Sequence, residues 1–365
     1  MKASIICPNT YTEPGAWGRP FPVPRAAFAA ESGQNMLAAA LEQARAADEA
    51  GFDFVSVSEH HFAPLMCSPN AAVWAGALSQ VVTRARIAWL GPIVSVNNPV
   101  RVAEEIAMLD QLTGGRLIVL PLRGTPNELR VYNNIDPDDS RALTEEAMLL
   151  IRKALTETEP FAWKSDHYDF PLVSVWPGRT QVPHPPILSS GNSPDSVSFA
   201  ARHRFPIAIS FFDPVRVAAL TTQFREEARA AGWTPGAHDI LYRAWIALGE
   251  NDDEAHEIRA KFLPRGAGPP PEAVPGAPGG PPASLGPYNR TGPDPVASGF
   301  GIGSVQFAGG PDTVIRQIRE FHETTGAGIL DLSFGRASQE ITVASIRRFG
   351  EKVLPEIRDL GTRAA

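Results

Sequence analysis

The chain has 365 residues, of which 43% are hydrophobic and 20% are charged, so it can bury a large core or form a barrel with insertions. Its net charge of -7 and pI near 5.7 provide no basic surface for nucleic acid or for an anionic membrane, and we expect neither as a partner. Two cysteines are too few for a disulfide framework. No signal peptide and no apolar run of the ~18 residues that span a membrane is found, so we expect a cytoplasmic protein.

Short apolar runs alternate with segments of helical pattern along the chain. The predicted strands cover residues 2–7, 54–58, 87–94, 116–121, 187–189, 207–210, 240–248 and 329–333. The predicted helices cover residues 35–50, 70–83, 99–112, 140–155, 194–203, 215–231, 252–262 and 339–353. Eight strands, each followed by a helix, predict an α/β fold of the (β/α)8 TIM-barrel type in a single domain. An open doubly wound sheet is the alternative, but no G-x-G-x-x-G follows the first strand.

Two segments lie outside this repeat. Residues 161–185 combine aromatic and turn residues, which indicates a small β insertion. Residues 264–303 are dominated by Pro, Gly and Ala, and a loop of this length indicates either a mobile lid or an insertion without a role. Because it follows the seventh strand, at the end of the barrel that carries active sites, we expect it to close over a substrate.

The run Ser58-Glu59-His60-His61-Phe62 stands where the second predicted strand ends. Histidine titrates near neutrality, so two histidines at the carboxyl end of a barrel strand form a candidate acid/base or metal site, and two hydrogen-bonded loop histidines are the alternative. A metal-dependent hydrolase is disfavoured because adjacent residues on a strand point to opposite faces. The other histidines are scattered, and we predict no metal site.

A second candidate site lies at Gly191-Asn192-Ser193-Pro194, where a predicted strand passes into a helix. A helix N-terminus offers unpaired N–H groups and positive potential to an anion such as phosphate. Ser193 could equally be an ordinary N-cap, so both interpretations stay open at this point.

An ordered set of motifs resembles the bacterial luciferase-like flavin monooxygenases, most closely the luciferase α-subunit type. The matching segments are residues 59–62, 98–105, 109–116, 123–124, 130–132 and 139–143, with a weaker match at 190–201. The resemblance covers about residues 1–260 and the terminal helix. It implies a (β/α)8 barrel that uses reduced FMN, or in one branch a reduced deazaflavin, at the carboxyl ends of its strands.

The resemblance also implies roles for individual residues. His60 corresponds to the catalytic histidine, with His61 as its neighbour, and it would control the proton on which transfer of oxygen depends. The flavin ring would lie over a cis peptide bond between Leu90 and Gly91. Where luciferases carry a reactive cysteine, this chain has Leu122, which argues against luciferase-like aldehyde specificity.

Further flavin contacts follow from the same resemblance. Arg123 and Arg141 would bind the flavin phosphate or ribityl chain, because a guanidinium pairs with phosphate oxygens through two N–H groups. Ser193 and Ser196 would complete the phosphate site. The full predicted set of cofactor-binding residues is Glu59, Leu90, Gly91, Leu122, Arg123, Arg141, Gly191, Asn192, Ser193 and Ser196.

These observations predict an FMNH2-dependent monooxygenase that inserts one oxygen of O2 into a small apolar organic substrate, by Baeyer–Villiger oxidation or hydroxylation. No nicotinamide fingerprint is present, so a separate NAD(P)H:flavin reductase is expected to supply the reduced flavin. We also expect a homodimer. The alternatives are a deazaflavin-dependent oxidoreductase that needs no O2 and a non-catalytic flavin-binding protein. The residues expected to line the substrate pocket are Trp17, Trp89, Trp176 and Trp245.

Overall fold

A computed structural model describes residues 1–7, 10–11, 13–16, 22–62, 64, 67–125, 128–129, 132, 135–136, 139–262 and 306–362. Its strands are β1 (Lys2–Ile6), β2 (Phe54–Val57), β3 (Arg86–Ile93), β4 (Leu117–Leu122), β5 (Phe161–Lys164), β6 (Asp169–Val173), β7 (Ser189–Ser190), β8 (Ile207–Ser210), β9 (Ile240–Leu248), β10 (Gln306–Gly309) and β11 (Ile329–Ser333). Its longer helices are α1 (Ala30–Glu49), α2 (Ala71–Leu78), α3 (Pro99–Leu112), α4 (Ser140–Thr156), α5 (Pro194–His203), α6 (Pro214–Ala230), α7 (Asp252–Phe262), α8 (Pro311–Thr325) and α9 (Gln339–Arg348). A π-helical turn (Phe349–Val353) and a short helix, α10 (Leu354–Ile357), follow.

Eight parallel strands form a nearly closed barrel in the order β4-β3-β2-β1-β11-β9-β8-β7. A parallel bridge between Val119 of β4 and Ile187, just before β7, joins the two ends of this sheet. The predicted (β/α)8 TIM barrel is therefore confirmed. All eight predicted strands are present at the barrel wall.

Side chains alternate between the two faces of each barrel strand, as expected for extended backbone. Outward residues such as Val55 and Val57 join the large core between the sheet and the helices. The inward apolar residues form a separate cluster that fills the barrel below its mouth and includes Phe54, Ala88, Leu90, Ile118, Leu120, Leu188, Ala208, Leu241 and Ile329. Among the described residues the barrel interior is thus a packed core, and we expect a ligand at the carboxyl ends of the strands.

The chain between β9 and β11 contains two elements that the sequence analysis did not predict. Strand β10 pairs with the last residues of β9, from Trp245 to Leu248. Helix α8 follows, with Pro311 in its first turn and Gly326 in the left-handed conformation at its C-terminus. Its buried residues recur at helical spacing, at Val314, Ile318 and Phe321, so the pattern was readable in the sequence.

The segment between α4 and β7 carries an antiparallel pair, β5 and β6, within the expected small β insertion of residues 161–185. The expected lid, residues 264–303, lies outside the described residues. Among the described helices, none combines the length and the apolar character that crossing a membrane requires.

Candidate active site

His60 stands at the mouth of the barrel, three residues beyond the end of β2. Its Nδ1 atom lies 3.4 Å from Oε1 of Glu128, and its side chain is 14% exposed whereas that of Glu128 is fully buried. A carboxylate at this position favours the tautomer with a proton on Nδ1, so that Nε2 is left as the proton acceptor. His60 and Glu128 therefore form an acid/base pair of the kind that serves proton transfer.

Glu128 is held by several donors besides His60. The backbone N–H and the hydroxyl of Thr125 donate to Oε2 at 2.9 and 2.8 Å, and the backbone N–H of His61 donates to Oε1 at 3.1 Å. Burial alone would raise the pKa of Glu128, but the hydrogen bond and charge of His60 and the donors of Thr125 outweigh it and lower this pKa to about 2. The carboxylate is therefore ionised at every physiological pH.

His61 and Glu59 form a second pair behind the first one. His61 Nε2 lies 3.1 Å from Glu59 Oε1, and the His61 side chain is only 3% exposed. The amide of Asn97 donates to the same oxygen at 3.3 Å, and the ring of Tyr132 packs edge-on against the His61 ring at 4.6 Å. This cluster gives His61 a supporting position, because its Nε2 is engaged by Glu59.

The peptide bond between Leu90 and Gly91 is cis, as the resemblance implies. A side chain at Gly91 would place its Cβ only 1.6 Å from the carbonyl oxygen of Leu120, so only glycine fits between β3 and β4 at this point. Leu122 is half-buried at the end of β4, and Arg123 follows as an exposed residue. Leu90 and Gly91 lie on β3 and Leu122 lies on β4, the two strands that follow β2 in the barrel wall.

A polar cradle lies at the N-terminus of α5. Ser193 caps the helix, and its hydroxyl accepts a hydrogen bond from the backbone N–H of Ser196. In turn, the backbone N–H of Ser193 donates to the Ser196 hydroxyl at 3.1 Å. From the first turn of α4, Arg141 reaches this cap, with its NH1 atom 3.4 Å from Ser193 Oγ. The other terminal nitrogen of Arg141 lies 3.5 Å from the largely exposed Asp195. Two hydroxyls, a helix N-terminus and a guanidinium thus converge in one place.

Gly191 and Asn192 shape the turn that leads into this cradle. A Cβ at Gly191 would lie 2.9 Å from a side-chain carbon of Ile209, so the turn packs closely on β8. The side-chain oxygen of Asn192 accepts the backbone N–H of Ser210 at 2.9 Å. Both residues therefore fix the turn, and any contact that they make with a cofactor stays a prediction.

The four tryptophans predicted to line the pocket lie in different places. Trp245 points inward on β9, toward the carboxyl end of the barrel. Its ring stacks on that of Phe211, with 4.8 Å between the ring centroids. Trp89 packs outward in the core between sheet and helices, and Trp176 is 81% exposed. The chain that follows Trp176 is tied to the carbonyl of Leu117, at the amino end of β4. The prediction is therefore wrong for Trp89 and Trp176, while Trp17 lies outside the described residues.

Three charged residues at the site were missed by the sequence analysis, namely Glu128, Arg243 and Asp331. Arg243 and Asp331 are an ion pair inside the barrel, with a distance of 2.9 Å between NH2 and Oδ2. The sequence does carry a signal for Arg243 and Asp331, because each is a charged residue in a predominantly apolar strand: Arg243 in Ile-Leu-Tyr-Arg and Asp331 in Ile-Leu-Asp-Leu. Within the part of the chain that the structure describes, no group of three or more His, Cys, Asp or Glu side chains could hold a metal ion.

Comparison with known proteins identifies the family. The family model of luciferase-like monooxygenases matches residues 22–328, and the chain belongs to this family. The alkanal monooxygenase alpha chain of Photorhabdus luminescens is 32% identical over 168 residues, which are 46% of this chain and 46% of that relative. The chain thus aligns with about half the length of this relative.

Two solved structures share the fold. One is the oxygenating constituent of 3,6-diketocamphane monooxygenase from Pseudomonas putida, a type II Baeyer–Villiger monooxygenase in complex with FMN. It has a TM-score of 0.71 and 20% sequence identity, and the match covers 97% of this chain and 98% of the chain in that structure. An F420-dependent secondary alcohol dehydrogenase has a TM-score of 0.70 and 19% identity and covers 98% of this chain and 99% of its own. At these identities the likeness supports the barrel fold.

Proposed function

We propose that the protein is a monooxygenase that uses reduced FMN and transfers one oxygen atom of O2 to a small apolar organic substrate. The observation that carries this proposal is the His60–Glu128 pair, at 3.4 Å, on the same rim of the barrel as the Arg141–Ser193 cradle. The His60–Glu128 pair can accept and donate a proton, and the Arg141–Ser193 cradle can bind a phosphate. Membership of the luciferase-like monooxygenase family supports the assignment.

The residues of the cradle fit the phosphate of FMN. The guanidinium of Arg141 and the hydroxyl of Ser193 can donate hydrogen bonds to a phosphate, and the hydroxyl of Ser196 can turn to it from the carbonyl of Ser193, to which it donates at 2.9 Å. In our proposal Arg123, exposed at the end of β4, adds a second guanidinium, and Gly91 lets the ring approach the backbone. Reduced FMN, when bound, supplies the electrons that activate O2.

His60 is the proposed acid/base. Glu128 holds Nδ1, so Nε2 can accept a proton from the reacting groups or return one to them. The ionised carboxylate of Glu128 stabilises the imidazolium that forms when Nε2 accepts a proton. Glu59 and His61 keep this arrangement in place from behind, because the backbone N–H of His61 also binds Glu128.

The substrate is proposed to be apolar because the far side of the mouth is aromatic. Phe211 and Trp245 stack there and pack against Ala247, Ile258 and Ala308. Baeyer–Villiger oxidation or hydroxylation would suit such a pocket. We propose that a separate NAD(P)H:flavin reductase delivers the reduced flavin.

The source of the oxygen atom in the product tests this function. The purified protein, a flavin reductase, NADH and FMN would be incubated under ¹⁸O2 with cyclohexanone as the probe. We expect one ¹⁸O atom in the lactone, and we expect no product when FMN is omitted. Products that carry oxygen only from water would contradict the proposal.

The second candidate is a deazaflavin-dependent oxidoreductase. The observation in its favour is the shared fold of the F420-dependent secondary alcohol dehydrogenase, which matches 98% of this chain. Oxidation of 2-propanol to acetone with F420 and without O2, by a protein that gives no ¹⁸O-labelled product, would establish this alternative.

A further inference from the structure

Arg243 and Asp331 place charge inside the barrel, at a level where the serines Ser4, Ser56 and Ser58 also point inward. They are direct neighbours across β9 and β11 in the parallel register. Tyr242 and Leu330, the residues next to them in the chain, belong to the outer core, so Arg243 and Asp331 point into the barrel. Both are buried, and a buried charge requires a partner.

Asp331 has all of its acceptor positions filled. Nε and NH2 of Arg243 both lie 2.9 Å from Oδ2, and the hydroxyls of Ser4 and Ser56 each donate to Oδ1 at 2.7 Å. The pair therefore carries no net charge, and its carboxylate is fully satisfied. A ligand would meet the guanidinium and not the carboxylate.

Arg243 is only partly satisfied by the residues that surround it. Its NH1 atom donates to Ser58 Oγ at 3.2 Å, and Ser58 in turn donates to the carbonyl of Leu90. A guanidinium has five N–H donors, and its contacts with described residues use three of them. One N–H group on each terminal nitrogen is left.

Packing among the described residues directs these two N–H groups toward the mouth of the barrel. The barrel below is filled by apolar side chains, among them Leu241 and Ile329. Arg243 is nevertheless 9% exposed. The next inward residue on β9 toward the mouth is Trp245, which belongs to the apolar wall of the proposed substrate pocket. The guanidinium thus forms a polar spot on the floor of that pocket.

We propose that Arg243 binds a carbonyl oxygen of the molecule held in the barrel mouth. Two N–H donors on a planar group suit a carbonyl, and the neutral ion pair needs no anionic ligand. The inference rests on the proposed function, which supplies two sources of such an oxygen: the pyrimidine carbonyls of FMN and the carbonyl of a ketone or aldehyde substrate. Asp331 and Ser58 position the guanidinium.

The test uses Arg243→Lys, which keeps the charge that balances Asp331 but loses the planar pair of donors. The matched control is Arg225→Lys, because Arg225 also binds carbonyls, those of Thr325 and Gly326, but does so at the end of α8 outside the barrel. Calorimetry would measure binding of FMN to each protein. It would also compare cyclohexanone with methylenecyclohexane, which has the same shape without the carbonyl oxygen.

If the oxygen belongs to the flavin, Arg243→Lys binds FMN about tenfold more weakly or worse. If it belongs to the substrate, FMN affinity stays within about twofold and the preference for cyclohexanone, about tenfold in the unaltered protein, is lost. A folded Arg243→Lys protein that keeps both values would overturn the proposal. Failure of the unaltered protein to bind FMN would instead contradict the proposed function, and the ketone comparison would still test Arg243.

Arg243→Lys could unfold the protein, since Lys cannot reproduce both contacts with Asp331. The double variant Arg243→Gln with Asp331→Asn removes both charges and leaves no lone buried ion. We expect this variant to fold and to show the same loss of affinity as Arg243→Lys. Normal affinity in the folded double variant would overturn the proposal independently.

Discussion

Replacing Glu128 by Gln should uncouple oxygen consumption from product formation. At 3.4 Å, with an effective dielectric constant of about 20, an imidazolium at His60 and the carboxylate attract by at most ~5 kcal/mol. If the substitution removes half of this attraction, the barrier of a step that protonates His60 rises by that amount. The step then slows roughly a hundredfold. FMN affinity should change by less than about twofold, because the cradle at Ser193 lies on other strands.

The assay supplies FMNH2 from a reductase and measures oxygenated product and hydrogen peroxide in the same sample. We expect Glu128→Gln to make roughly a hundredfold less product and correspondingly more peroxide. The control is Glu146→Gln, because Glu146 accepts a hydrogen bond from Trp163 on the outside of the barrel. A Glu128→Gln enzyme with the rate and the product-to-peroxide ratio of the unaltered protein would refute the role of the pair.

Three further predictions concern binding and stability. Arg141→Ala should weaken FMN binding about tenfold or more, measured by titration, because it removes a charged donor from the proposed phosphate site at Ser193. Because its pKa is lowered, ionised Glu128 should stabilise the protein by about 3 kcal/mol above pH 4.5, and this contribution should disappear as the pH falls toward 2. In denaturant unfolding, the free energy of unfolding of Glu128→Gln should therefore be lower than that of the unaltered protein above pH 4.5, and the difference should shrink as the pH falls toward 2. Gly91→Ala should lower the free energy of unfolding by about 1–3 kcal/mol or more, because the new Cβ would collide with the carbonyl of Leu120; an unchanged denaturation midpoint would argue against this close packing.

The barrel could be predicted because its strands are continuous apolar runs that end in polar residues. The same pattern located His60 at the mouth, since a strand that ends at Val57 delivers the following residues to the rim. Helix α8 and strand β10 were missed because they follow a long Pro- and Gly-rich segment that was interpreted as one loop. The periodic residues of α8 were a sufficient signal.

The side on which a residue lies was harder to predict than the strand itself. Leu90 and Trp89 were both expected at the site, although neighbours on a strand point to opposite faces. The structure puts Leu90 inside and Trp89 outside. Arg243 and Asp331 could be recognised as partners only with the register of β9 and β11, which one sequence does not provide.

Site residues that lie far apart in the sequence could likewise not be predicted to be in contact. Glu128 lies 67 residues after His61, and only the closure of β2, β3 and β4 side by side brings it to the histidines. No spacing rule connects residues so far apart. The helix cap at Ser193 was predictable because a capped helix N-terminus is a local pattern, whereas the contact of Arg141 with Ser193 depends on the packing of α4 beside α5.

The affinity of the purified protein for reduced FMN, compared with reduced F420, tests the central claim most directly. An anaerobic titration of each cofactor, followed by absorption or fluorescence, gives both dissociation constants without knowledge of the substrate. We predict that reduced FMN binds at least about tenfold more tightly than reduced F420 and that Arg141→Ala removes most of this binding. Tighter binding of F420, or no binding of FMN, would contradict the assignment as a reduced-FMN monooxygenase.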